Sequence, residues 1–405
     1  MAVTLCRRLR EWSGQLMNPG NACKRLLVLG DSHSSMFSSV TEQRWIYGVC
    51  KSWSMNITGL YSQGGAFFLD TSINASSSNR PIGTSQHPTD GIIAPHDVTR
   101  IAGVNLNTDT LLWRQDFLPT PMSQFRNGNL FRNNPINVKI GWWGRSDSYQ
   151  TVRMRSGYTD DTYTTDASNL DMRGASEYKS RTMLIDAANK NARFDAFAGS
   201  ETETSREWTV IGTRFELLDP TGGVSIACTG NGGQSAADYL DQTTICSDAR
   251  WVDWIRMWGP FDRILINLGS NMEPDEEAAI TTVWRNNILG VARRILAHNA
   301  TAGGPSDAMA LLISPHDCTV GARFPEMAIA LDSCSAQDGR LAHLHCGSAL
   351  PNHTELAANW LEPTEVHTLA SGAVLVANAL GMAMQASGDS TARTRLRNRD
   401  FALRG

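Results

Sequence analysis

Leu26, Leu27, Val28 and Leu29 form an unbroken aliphatic run within Arg25-Leu26-Leu27-Val28-Leu29-Gly30-Asp31-Ser32-His33-Ser34-Ser35-Met36, and the run stops abruptly at small and polar residues. The lack of polar alternation predicts a parallel strand covered on both faces. Gly30 permits the sharp turn of a strand-to-helix junction. A helix opening near Ser34 aims its positive end at Ser32, where the carboxyl edge of an open α/β sheet best accommodates a nucleophile. A short helix is expected over Leu5 to Leu16. A second is expected over Ser34 to Trp53, with Met36, Phe37, Val40, Trp45, Ile46 and Val49 on one broad face. Met55 to Tyr61 follows as a strand.

After Tyr61 the pattern changes. From Gly64 to about Gly223 the chain is rich in Ser, Thr, Asn, Gly and Pro, and its regular stretches alternate with a period of two. Strands are predicted at Ile136–Trp142, Tyr149–Arg155, Arg193–Phe197 and Trp208–Leu217, and a long surface loop over Thr71–Thr99. An inserted antiparallel β-rich domain, sandwich or barrel-like, is therefore expected over residues 63–222. It interrupts an α/β domain made of residues 1–62 and 223–405.

The α/β pattern resumes with a strand over Val224–Cys228, a helix over Ala249–Trp258 and a strand over Arg263–Leu268. Ala279, Ile280, Val283, Trp284, Ile288, Val291, Ile295 and Leu296 recur at helical spacing and predict one long helix from Glu276 to His298. Ala308–Ser314 reads as a buried strand and Ser371–Met384 as a final apolar helix. Strand-helix alternation on both sides of the insert predicts a flavodoxin-like three-layer α/β/α sandwich with its site at the carboxyl ends of the strands.

Composition narrows the function. At 405 residues with a formal net charge of -4 and scattered Arg and Lys, the chain offers no basic field for nucleic acid. No apolar run is long enough to span a membrane, and Met1 to Arg8 is not followed by the apolar core of a signal peptide. A soluble protein is the expectation, with compartment and oligomeric state open. The eight cysteines lack a paired Cys-x-x-Cys pattern. Cys228 with Cys246, and Cys318, Cys334 and Cys346, are either disulfide partners in an oxidising compartment or buried free thiols.

Four stretches occur in a set order. They are Gly30-Asp31-Ser32; Thr229-Gly230-Asn231-Gly232-Gly233-Gln234-Ser235-Ala236; Leu268-Gly269-Ser270-Asn271; and Val366-His367-Thr368-Leu369-Ala370-Ser371-Gly372. Together they resemble the SGNH, or GDSL-type, hydrolase superfamily, over roughly the first fifth and last two fifths of the chain. The resemblance implies that Ser32 is the nucleophile and His367 the base. It also implies an oxyanion hole made of the Ser32 backbone amide, the Gly230 backbone amide and the Asn271 side-chain amide. Gly232, Gly233 and the pair Gly64-Gly65 compete with Gly230. Gly230 is favoured because its turn leads into Ala236-Ala237-Asp238-Tyr239-Leu240 as the family's glycine turn leads into a helix.

The chain departs from the family at the acid. An aspartate is expected three residues before the histidine, and Thr364 stands there, flanked by Glu362 and Glu365. Either Glu362 or Glu365 reaches the ring, with Glu365 nearer in sequence, or a neutral group orients it in a Ser32–His367 dyad, or the protein is a weakened or inactive relative.

The chemistry expected is hydrolysis of a small acyl ester, acetyl above all, with a carbohydrate ester as the favoured substrate. The alternative is a catalytically degenerate module that binds glycan or protein. No cofactor and no metal is expected: His343-Leu344-His345-Cys346 and His316-Asp317-Cys318 lack the spacing of a closed tetrahedral site. Trp142-Trp143 offers rings that stack on sugars or, as is commoner in an alternating strand, fill a core.

Overall fold

The computed structural model describes residues 7–17, 23–31, 67–69, 84–86, 99–102, 111–116, 135–148, 152–158, 160–186, 192–198, 207–218, 224–230, 233–242, 246–315 and 324–345. Helix α1 (Arg7–Met17) places Leu9, Trp12 and Leu16 on one face at spacings of three and four residues, and all three are fully buried. The Trp12 indole donates to the Ile264 carbonyl at 3.0 Å. Strand β1 (Lys24–Gly30) contains the aliphatic run, with Leu26 to Leu29 wholly out of solvent. The expected helix over Ser34–Trp53 and strand over Met55–Tyr61 lie outside the described residues.

The Ser- and Thr-rich middle of the chain is built of ten strands among the described residues. They are β2 (Phe67–Leu69), β3 (Thr84–Gln86), β4 (Thr99–Ala102), β5 (Leu111–Asp116), β6 (Ile136–Gly144), β7 (Val152–Tyr158), β8 (Tyr163–Leu170), β9 (Glu177–Ile185), β10 (Ala192–Ala198) and β11 (Glu207–Leu217). Their mutual pairings are antiparallel. One group forms a four-stranded sheet in the order β5-β10-β7-β8. β3 falls inside the stretch expected to be a loop: Thr84-Ser85-Gln86 pairs with β4, and the turn-formers around so short a segment hide it in the sequence.

Beyond β11 come β12 (Val224–Gly230), α2 (Ala236–Leu240), α3 (Asp248–Trp258), β13 (Arg263–Asn267), α4 (Pro274–Ala278), α5 (Arg285–Thr301), β14 (Met309–Ile313), α6 (Phe324–Gln337) and β15 (Leu341–Leu344). The parallel strands run in the order β12-β1-β13-β14-β15, so the first in the chain lies between the second and third. This is the doubly wound order, and its topological switch point falls at β1. β2 continues the same sheet from β12, and β11, β4, β3, β6 and β9 complete eleven strands. The fold is thus mixed α/β, with a parallel sheet that runs directly into antiparallel strands.

Leu27 and Leu29 meet Ile264, Ile266, Ala310 and Leu312 in a core closed by Trp251, Trp254 and Ile255 of α3, Ile288 and Ile295 of α5, and Leu331 of α6. α1 lies against β14 and β15 from the other face. The expected single helix from Glu276 is broken. Ala279 takes φ -145 and ψ 58, and a π-helical turn spans Ile280–Trp284 before α5 begins. Ile280, Trp284 and Ile288 stand four apart, a spacing wider than the α-helical 3.6, and the wide turn keeps all three in the core.

Cys246 and Cys334 are free, buried thiols. Burial pushes the Cys334 thiol up to about 12 and raises that of Cys246 as well. No helix among the described residues is long and apolar enough to cross a membrane.

Candidate active site at the strand ends

Register brings three of the four motif stretches to one edge. Gly30 pairs with Gly230 of β12 on one side and Asn267 of β13 on the other, so three strand ends stand in a row about 4.8 Å apart. Asp31 follows, fully buried. Its N–H donates to the Asn267 carbonyl at 3.4 Å and its Oδ2 accepts the Ser270 N–H at 3.3 Å. From the β12 side, the Tyr239 hydroxyl donates to the Gly30 carbonyl at 2.8 Å. The end of β1 is clasped by both neighbours.

Each flanking loop has a local cause for its shape. After β12, Ser235 and Asp238 form a capping box that starts α2: Ser235 Oγ accepts the Asp238 N–H at 3.0 Å, and Asp238 Oδ2 accepts the Ser235 N–H at 2.8 Å. After β13, Gly269 adopts φ +131. A Cβ there would meet Met327 Cε at 3.1 Å, Trp284 Cζ2 at 3.2 Å and Pro315 Cδ at 3.3 Å. Only glycine enters that turn without strain.

Asn271 lies just beyond it. Its Nδ2 is buried and has no hydrogen-bond acceptor among the described residues. Buried amide donors are rarely left so, because the uncompensated desolvation costs roughly 1–3 kcal/mol.

Sequence reasoning missed Glu276. This fully buried carboxylate accepts from the Glu273 N–H at 3.1 Å, from Asn287 Nδ2 at 2.8 Å and from the Ala237 backbone N–H. It therefore joins the Asn271 loop to the helix that follows the glycine turn. Burial holds its pKa above the ordinary carboxylate value, opposed by those three hydrogen bonds. The signal was present as a Glu-Pro-Asp-Glu capping pattern, but helical periodicity placed Glu276 at the start of a continuous helix instead.

Of the expected site residues, Gly230 and Asn271 come to the same edge of the sheet. Ser32, which follows Asp31 directly, and His367, Glu365, Glu362 and Thr364 lie outside the described residues. Elsewhere, His343 Nδ1 lies 2.9 Å from Ser335 Oγ, and its Nε2 lies 3.8 Å from Asp332 Oδ1. This Ser-His-Asp set is structural. The Ser335 proton goes to the Asp332 carbonyl at 2.9 Å, the hydroxyl is buried in α6, and burial lowers the His343 pKa. Among the described residues no group of three or more His, Cys, Asp and Glu is placed to hold a metal ion. Trp142 and Trp143 are core residues at 5% and 4% exposure, so neither offers an open ring face for a sugar to stack on.

No protein-family model matches the chain, and no curated protein matches it. Solved structures match weakly. The YxiM protein of Bacillus subtilis is 10% identical with a TM-score of 0.33, over 80% of this chain and 98% of that one. Est24, a carbohydrate acetylesterase from Sinorhizobium meliloti, is 11% identical with a TM-score of 0.30, over 40% and 79%. A carbohydrate-binding module of Cellvibrio mixtus lichenase 5A is 7% identical with a TM-score of 0.22, over 34% and 90%. Likenesses of this size fix no chemistry.

Proposed function

We propose that the chain is a serine esterase of the SGNH type that removes small acyl groups, acetyl above all, with acetylated carbohydrate as the substrate class. The observation that carries the reading is the buried Asn271 Nδ2, without an acceptor among the described residues, in the turn after β13, the strand beside the one that precedes Ser32 in sequence. In this reading His367 takes the Ser32 proton as the oxygen attacks the ester carbonyl. The oxyanion that forms accepts from the backbone N–H groups of Ser32 and Gly230 and from Asn271 Nδ2. Collapse of the intermediate expels the alcohol, which receives the proton from His367. Water then attacks the acyl-serine through the same base, releasing the acid and restoring the hydroxyl. Glu365 is the proposed partner of the far ring nitrogen.

Hydrolysis of p-nitrophenyl acetate by the wild type, beside Ser32→Ala and His367→Ala, tests the reading. Loss of turnover in both variants is expected, and equal rates in all three would overturn it. Thr364, at the position where the family carries its acid, favours a second reading, a degenerate glycan- or protein-binding module. A fluorophosphonate probe separates the two: an activated Ser32 is labelled, a relic is not.

A further inference from the structure

Glu276 lies fully buried in the first turn of α4, and among the described residues no lysine, arginine or histidine pairs with it. A carboxylate held out of water on hydrogen bonds alone is a costly way to stabilise a fold. Its hydrogen bonds are directional, however, and they reach two different turns. Oε2 accepts the Glu273 N–H at 3.1 Å, two residues past Asn271. The same carboxylate accepts the N–H of Ala237, the second residue of α2, which follows the glycine turn. The third bond, from Asn287 Nδ2 to Oε1 at 2.8 Å, comes from α5 and reaches neither turn.

Each turn is also anchored on its far side. The end of α2 is held by the Tyr239 hydroxyl on the Gly30 carbonyl and by Arg294 Nη1 on the Tyr239 carbonyl at 2.6 Å. Leu240 packs over Gly290 of α5, where a Cβ would stand 3.3 Å from Leu240 Cδ1. The turn after β13 is held at its start by Asp31 Oδ2 on the Ser270 N–H and by the close fit around Gly269. What those anchors leave open is the approach of the start of α2 to the stretch from Asn271 to Glu273. The Glu276 carboxylate spans it.

We propose that Glu276 is a positioning residue for ester cleavage: its one carboxylate sets how far the Asn271 side-chain donor stands from the backbone donor of the glycine turn. The role rests on the esterase reading. Glu276 touches neither substrate nor reacting atoms in it, and acts through the places of Asn271 Nδ2 and the Gly230 N–H. An oxyanion hole works because its donors are aimed before charge develops, so the spacing between donors matters as much as their presence. A displacement of about 1 Å, caused from outside the reacting groups, can cost roughly 10²-fold in rate.

A double-mutant cycle on the full chain, pairing Glu276→Gln with Asn271→Ala and read as kcat on p-nitrophenyl acetate, tests the role. Glutamine keeps the size and one oxygen but replaces the other with a donor, which cannot accept an N–H. Alone, Glu276→Gln is expected to lower kcat roughly tenfold or more with KM within about twofold. In the Asn271→Ala background it should lower kcat by less than about threefold, because the donor it positions is gone. Asn287→Ala removes only the bond that reaches neither turn, so it should lower Tm and keep kcat within about twofold of wild type. Should Glu276→Gln not fold, Glu276→Asp, which keeps the charge and shortens the reach, takes its place in the cycle with the same expectation. Unchanged kcat in the single variant, equal losses in both backgrounds, or an equal loss in Asn287→Ala would overturn the role. A wild type without turnover defeats the esterase reading and this role with it; turnover with an additive cycle defeats the role alone.

Discussion

The carboxylate of Asp31 accepts the backbone N–H of Ser270 at 3.3 Å, which ties the residue before Ser32 to the residue before Asn271. The proposed nucleophile and the proposed side-chain oxyanion donor are thus one peptide bond from either end of a single, partly buried hydrogen bond. Asp31→Ala leaves the Ser270 N–H without that acceptor, at a cost of roughly 1–3 kcal/mol. We expect a lower Tm and, on p-nitrophenyl acetate, a fall in kcat larger than any rise in KM. Asp31→Asn keeps an oxygen in place and should recover most of the stability. Wild-type kcat in the alanine variant would show that the two turns hold their geometry independently.

Asn271→Ala separates a donor kept for an oxyanion from an ordinary strand-end asparagine. Removing one oxyanion donor typically lowers kcat by about 10²–10³ with little change in KM. Because Nδ2 is buried without an acceptor among the described residues, its removal should leave Tm unchanged or slightly raised. Activity lost while stability holds is the expected signature. Activity retained, or both lost together, counts against the role.

Legibility in the sequence followed the length and contrast of each pattern. The unbroken Leu26–Leu29 run gave β1, and the Ile264–Ile266 and Leu311–Ile313 runs gave β13 and β14, because a strand buried on both faces leaves no polar position to blur it. The turns that follow β12 and β13 were legible as abrupt ends of apolar runs, and the register row of Gly30, Gly230 and Asn267 explains why stretches so distant in sequence share an edge. β9 was missed because Glu177 to Thr182 is polar and largely solvent-facing. α6 was missed because Phe324 to Gln337 mixes small and apolar residues with no clean stripe. β15 is only four residues long. Glu276 was misread because its value lies in contacts to residues 237, 273 and 287, which no local window relates.

Gly269 is constrained twice, by φ +131 and by three side chains within 3.3 Å of where a Cβ would sit. Gly269→Ala must therefore move Met327, Trp284 or Pro315, or abandon the turn that carries Ser270 and Asn271. Strain of this kind costs on the order of 1–3 kcal/mol. Thermal unfolding should show a lower Tm. The same variant should lose kcat, because Asn271 is carried on the distorted turn. Gly303 has φ +94 and nothing within 4 Å of its would-be Cβ, far from the strand ends. Gly303→Ala should lower Tm less and leave kcat intact, so equal damage to activity at both positions would sink the argument from the turn.

Glu276 should make stability depend on pH with a particular sign. Burial raises its folded pKa above the unfolded value, against hydrogen bonds from Asn287, Glu273 and Ala237. Between those two values the folded chain holds more protons than the unfolded one, so the contribution of this carboxyl to stability grows as pH falls and is lost as pH rises through the folded pKa. Glu276→Gln removes the titration while keeping the size of the side chain. As pH falls from neutrality toward the ordinary carboxylate range, the Tm of the wild type should therefore gain on that of the variant. Because Glu276 joins the Asn271 loop to α2, the variant should also lose kcat on p-nitrophenyl acetate at every pH in that range. A Tm difference that stays constant across the range would mean that the carboxyl titrates at its ordinary value. The burial of Glu276 would then have no electrostatic consequence.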